Sequence, residues 1–181
     1  WTTSSTLGRA IWSASIVASF LVMVYDGFLL NSGRSISAWN SSLIPLIFVI
    51  YSLGGGVALT SITFLSSGAT PSAEVIGYLD TLLLLAILAC IGVYLISLTS
   101  LGKTARESIR LLVRGRVAPF FLIGAVIAGI VIPLILLYIT HSPESSRALS
   151  MLMVATAMLE LAGDLSFRHS ILRVGLHIPL I

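Results

Sequence analysis

Charge is what this sequence has least of. Only 9% of its 181 residues are charged, 10 Lys and Arg against 7 Asp and Glu, whereas 57% are hydrophobic. An ordinary soluble domain carries about 25% charged residues, so a soluble enzyme and a disordered tail are both excluded. Cysteine is almost missing: a single Cys90 excludes a disulfide-stapled domain, a cysteine-ligated iron–sulfur cluster and a cysteine-rich zinc site. Histidine is scarce as well. A transmembrane haem needs histidines facing each other inside a bundle, yet His141, His169 and His177 fall at helix ends or beyond them. Neither haem nor metal is expected. What the chain does have is apolar length, with a mean hydropathy of +1.07.

A membrane-spanning helix needs about 20 mainly apolar residues. Five stretches meet this, at about 10–30, 42–65, 75–98, 117–138 and 148–167. None alternates apolar and polar residues as a barrel strand does. The expected fold is all-α, a polytopic transmembrane helical bundle forming a single domain over 1–181. The connections are short, and Ser66-Ser67-Gly68-Ala69-Thr70-Pro71 reads as a turn.

Basic residues set the orientation. Arg34, Lys103, Arg106, Arg110, Arg114, Arg116, Arg168 and Arg173 fall on one side, and only Arg9 and Arg147 on the other. The positive-inside rule makes the first side cytoplasmic, with the C-terminus and the Thr99–Arg116 loop. The N-terminus is then outside. A chain that opens at Trp1 with no signal peptide and an outside start is expected of the later part of a longer bundle. Within the long loop, Arg106, Arg110 and Arg114 share one face of a short interfacial helix, with Ile109, Leu112 and Val113 on another. That face suits anionic lipid headgroups or a cytoplasmic partner, and no nucleic acid.

Ionisable groups inside a bilayer cost about 2.5–3.5 kcal/mol on insertion scales and are functional candidates. They are Asp26, Asp80, Glu160 and Asp164. Asp164 and Arg168 are four apart near the cytoplasmic end of the fifth span, the spacing of a structural ion pair. Glu160 lies about 18 Å along that span, more than half way through a core of about 30 Å. Two readings stand for it: a proton carrier cycling between neutral and charged forms, or a carboxyl held by a neighbouring helix. Asp26 in the first span and Asp80 in the third mark two further depths of a proton route, with Asp80 near enough to an interface to be solvated. Tyr25, Tyr51 and Tyr94 can lend hydroxyls.

Small residues suggest close packing. Gly54-Gly55-Gly56 with Ala58, and the steps Gly124/Ala128 and Ala125/Gly129, let helices approach. Pro133 removes a donor and is expected to bend the fourth span, freeing the Gly129 carbonyl.

Several strings together carry a resemblance. Tyr25-Asp26-Gly27-Phe28-Leu29-Leu30 is followed by Trp39-Asn40-Ser41-Ser42-Leu43-Ile44-Pro45-Leu46-Ile47-Phe48 and the run Ser52 to Leu59. Gly124, Gly129 and Pro133 come next, then Glu160-Leu161-Ala162-Gly163-Asp164-Leu165-Ser166-Phe167-Arg168 and Ile171-Leu172-Arg173-Val174-Gly175. In order and spacing this resembles the later half of the polysulfide-reductase-type (NrfD-like) membrane subunits. The resemblance implies a prokaryotic inner-membrane anchor of a respiratory oxidoreductase. Such a subunit exchanges electrons between the quinone pool, menaquinone or ubiquinone, and an iron–sulfur subunit joined to a molybdopterin or multihaem partner. It holds no redox centre of its own. Two departures accompany it: the family's earlier helices, which supply much of its quinone pocket, are absent, and Asp26 stands where members often carry a small hydroxyl residue.

Glu160, Asp26 and Asp80 are thus the candidates for proton transfer coupled to quinone chemistry. Two rival classes remain: a transporter or channel component using the same carboxylates, and a structural scaffold for partner subunits.

Overall fold

The computed structural model describes residues 6–33, 36, 38–39, 41–67, 73–100, 102–140 and 147–175. Arg34, His141 and His177 lie outside them, as does the 68–71 part of the expected turn. Long apolar segments become helices because lipid offers no partner for a free backbone N–H or C=O. They are α1 (Thr6–Asn31), α2 (Leu43–Ser67), α3 (Ala73–Ser100), α4 (Lys103–Arg114), a wide-turn π-helix (Pro119–Val131) that runs straight into α5 (Ile132–Thr140), and α6 (Arg147–Arg173). Among the described residues there is no sheet.

Four of the five expected spans are long and apolar enough to cross a membrane: α1, α2, α3 and the π-helix with α5. The fifth, α6, has 27 residues and is about 40 Å long. Its apolar run is broken by Glu160, Asp164 and Arg168, and it survives in a bundle because those side chains face inward.

Helices α2 and α6 form the centre. α6 packs on the π-helix, on α5 and on α2, while α2 also holds α3 and α1. The core between them contains Ile44, Ile47, Phe48, Tyr51, Ile87, Tyr94, Phe121, Ile130, Phe167 and Ile171. Phe48 and Phe167 meet edge to face, and Tyr51 stacks on Phe167 with ring centres 5.0 Å apart, geometries that aromatic quadrupoles favour. α1 is peripheral. Gly27 is its one buried residue, where a Cβ would come within 2.5 Å of Pro45 Cα. The rest of α1 presents apolar side chains outward, as a lipid-facing helix does.

The tightest approach lies between the π-helix and α6, where Gly129 and Gly163 touch backbone to backbone, and Gly124 leaves room for Ser166. The small-residue steps of the fourth span do serve close packing. The run Gly54–Gly56 does not: a Cβ at Gly54 would meet only Ile87 at 3.9 Å, one at Gly55 only Leu161 at 3.5 Å, and one at Gly56 nothing. Pro133, expected to bend the fourth span, sits at a change of helix type. Ile132, the residue before it, still bonds five residues back to Ile127, so the missing donor falls where the widened turns give way to an α-helix.

One end of the bundle is tied by polar contacts. Trp39 donates its indole N–H to Ile171 O at 3.0 Å, Tyr94 its hydroxyl to Ala38 O at 2.7 Å, and Ser108 its hydroxyl to Val174 O at 3.3 Å. These bonds join the α1–α2 connection, α3 and α4 to the end of α6.

Candidate functional site

The inward face of α6 is set by its sequence: Glu160, Asp164 and Arg168 recur every fourth residue, so they share one stripe and climb about 12 Å along the axis. Arg168 is the best connected. Its Nε donates to Asp164 Oδ1 at 2.8 Å, one terminal nitrogen to Asp26 Oδ2 at 3.0 Å, and the other to Ser52 Oγ at 3.3 Å. Its guanidinium carbon lies 4.7 Å from the centre of the Phe48 ring, within cation–π range. One cation thus joins α1, α2 and α6.

The expected pair of Asp164 and Arg168 is present as geometry, but it is part of a larger unit. Asp26, read from the sequence as a separate depth of a proton route, is drawn into the same cluster. Its side chain is half exposed, whereas Arg168 and Asp164 are 23% and 19% exposed.

Asp80 departs further from expectation. It is buried rather than solvated, at 5% exposure, because α3 enters the bundle with this residue turned inward. It lies near enough to Glu160, itself 6% exposed, for the two carboxyls to interact through charge. Asp80 Oδ1 and both Glu160 oxygens have no hydrogen-bond partner among the described residues. Buried polar atoms left in this way cost about 1–3 kcal/mol each, which makes the two carboxyls candidates for a functional site.

Of the three tyrosines that the sequence offers as hydroxyl donors, Tyr51 is the one that lies beside the α6 stripe. It is buried at 4% exposure, its hydroxyl has no partner among the described residues, and it feels both Asp164 and Arg168. Its sequence signal was slight, one tyrosine among five, and its position beside Asp164 and Arg168 is visible only in the fold. Tyr25 is exposed and Tyr94 is committed to Ala38. His169 is exposed and sits against Phe120 with ring centres 5.2 Å apart. No group of three or more potential metal ligands occurs among the described residues.

Along the bundle, the buried pair Asp80 and Glu160 is followed down α6 by Asp164 beside Tyr51, then by Arg168 with Asp26. The arrangement can hold and pass protons between buried carboxyls, and it ends on a cation that keeps two carboxylates in place. Replacing Arg168 with Met is expected to destabilise the protein by about 3–5 kcal/mol by leaving Asp164 buried and unpaired. The double replacement with Asp164→Asn should recover much of that loss in a thermal-melting cycle; equal melting of the single and double variants would refute the pairing as a stability element.

A groove of about 480 Å³ lies between α1 and α2, lined by Trp12, Ser15, Ile16, Ser19, Phe20, Met23, Val49 and Leu53. Its polar groups are the Trp12 indole N–H and the hydroxyls of Ser15 and Ser19, and Ser15 donates its hydroxyl to Ile11 O. Arg168 is engaged by Asp164, Asp26 and Ser52.

Comparison with known proteins agrees with this architecture. The sequence matches the family model described as Polysulphide reductase, NrfD, over residues 2–179. It is 27% identical over 179 residues to the C subunit of polysulfide reductase from Wolinella succinogenes, an alignment covering 93% of this chain and 54% of the relative. The chain therefore spans about half the length of that curated protein. No solved structure matches significantly. With an all-helical bundle, four apolar spans and a match along nearly its whole length, the chain is a multi-pass membrane protein of the NrfD polysulphide reductase family.

Proposed function

We propose that this chain is the proton-handling part of a membrane subunit in a respiratory oxidoreductase complex of the prokaryotic inner membrane. Electrons pass there between the quinone pool and an iron–sulfur subunit, which connects to a molybdopterin or multihaem partner. The observation that carries the reading is the line of inward ionisable groups along α6, with Asp80 and Glu160 buried, mutually close and without other partners among the described residues. Membership in the polysulphide reductase family and likeness to a polysulfide reductase C subunit support the complex.

In this reading a carboxyl pair such as Asp80 and Glu160 holds a proton between its members, since two facing carboxylates in an apolar interior repel each other. Tyr51 supplies a hydroxyl beside Asp164. Arg168 fixes Asp164 and Asp26 so that charge arriving at the cytoplasmic end meets a compensated cluster. No electron-transfer step is assigned to these residues. The basic residues of α4 and of the end of α6 support a cytoplasmic location for that end under the positive-inside rule.

Purification of the protein from its native membrane under mild detergent tests the proposal. Copurifying iron–sulfur and molybdopterin or multihaem subunits with quinol-linked turnover are expected. A protein that purifies alone and conducts an ion flux in proteoliposomes would instead be a transporter or channel component.

A further inference from the structure

Helix α4 is not used by the function proposed above, yet it has a pronounced two-faced surface. Its segment from Lys103 to Arg116 holds five cations, Lys103, Arg106, Arg110, Arg114 and Arg116, against one acid, Glu107. At 100° per residue, Lys103, Arg106, Arg110 and Arg114 form one stripe. Ala105, Ser108 and Leu112 lie on the opposite face and are fully buried. They dock α4 on α3 and the π-helix, and Ser108 bonds Val174 at the end of α6. Arg173, also exposed, is next to that bond.

The docked face fixes where the stripe points. Ser100 ends α3 and Pro119 begins the π-helix, so α4 runs between the ends of two membrane-crossing elements, at the level of the headgroups. Lys103, Arg106, Arg110 and Arg114 are all exposed. Arg106 uses its Nε on the Thr99 carbonyl at 2.9 Å, which holds the guanidinium beside the end of α3, and Arg110 meets Glu107 at 3.5 Å, in a pair that is largely solvated. Val113, expected on the same face as Leu112, is instead 37% exposed beside the stripe. It gives the cationic face an apolar rim, which belongs at a boundary between headgroups and hydrocarbon.

We infer that the outer face of α4 binds the phosphates of anionic phospholipid headgroups, with the arginine stripe seated on the bilayer surface. Charge complementarity selects this occupant: successive guanidinium groups rise about 6 Å along the helix, in the plane where lipid phosphates lie, and nearly all the local charge has one sign.

The test uses the full protein with whatever subunits copurify with it. It is placed in nanodiscs containing equal amounts of phosphatidylcholine and phosphatidylglycerol, and retained lipids are counted by native mass spectrometry. Retention of phosphatidylglycerol over phosphatidylcholine by at least about fivefold is expected, the effect of one basic residue at an anionic surface. The pair Arg110→Gln and Arg114→Gln should bring the ratio close to one, whereas Arg110→Lys with Arg114→Lys should keep it. A ratio unaffected by the glutamine pair overturns the proposal. So does displacement of the lipid by excess inorganic phosphate at constant ionic strength, which would mark a free-phosphate site. A glutamine pair that keeps its lipid but sheds a subunit makes this a protein-docking surface and overturns it too. Should the glutamine pair fail to fold, raising the salt on the wild-type protein must lower the ratio, and a salt-independent ratio refutes the idea.

Discussion

Replacing Gly163 with valine is expected to cost upwards of about 3 kcal/mol and to abolish accumulation of the folded protein in the membrane. The reason is backbone contact. At Gly163 the α6 backbone rests directly on Gly129 of the π-helix, so an added Cβ would have to displace main chain, not the flexible end of a side chain. Overpacking of an ordinary core costs about 1–3 kcal/mol; here relief requires two helices to separate along the most extensive contact of the bundle. Gly56→Ala is the control, since its Cβ would meet nothing within 4 Å, and its melting temperature should stay where it is. Thermal melting in detergent and folded yield give the comparison. Equal behaviour of the two variants would mean that the Gly129–Gly163 contact does not hold the bundle together.

Glu160→Gln is expected to lower quinol-linked turnover of the assembled complex about a hundredfold, the lower end of what loss of a positioned proton carrier costs. The substitution keeps the shape and polarity of the side chain and removes its ability to release a proton. Stability should change little, because glutamine fills the same space and keeps a hydrogen-bonding group facing Asp80. Asp80→Asn should give an effect of similar size, since it removes the other member of the pair. Turnover and proton uptake are measured on complexes shown to carry all their subunits. Unchanged values in Glu160→Gln would remove the carboxyl pair from the mechanism and leave a scaffold.

The helices were legible in the sequence because lipid imposes one demand, unbroken backbone hydrogen bonding over about 20 apolar residues. The spacing of Asp164 and Arg168 announced their pairing, since a period of four puts both on one face of a single helix. What stayed hidden depends on contacts between helices. Asp80 is near the start of α3, and hydropathy alone cannot tell an interfacial carboxylate from one turned toward a neighbour. Asp26 is 142 residues from Arg168, and no local pattern relates them. The glycines were misleading in a similar way. Three in a row at Gly54–Gly56 look like a packing surface, but the decisive contact uses Gly129 and Gly163, each of which matters only because the other faces it.

The tie between Trp39 and Ile171 spans 132 residues, and this has a consequence for biosynthesis. A ribosome releases α1 and α2 into the membrane long before the carbonyl of Ile171 exists. Until α6 is made, the tryptophan has no acceptor at that end, and Ser108 on α4 likewise waits for Val174. Until then, of the three polar ties, only the Tyr94–Ala38 bond holds that end, so its closure is a late step in which insertion machinery or a neighbouring subunit can still reach the interior.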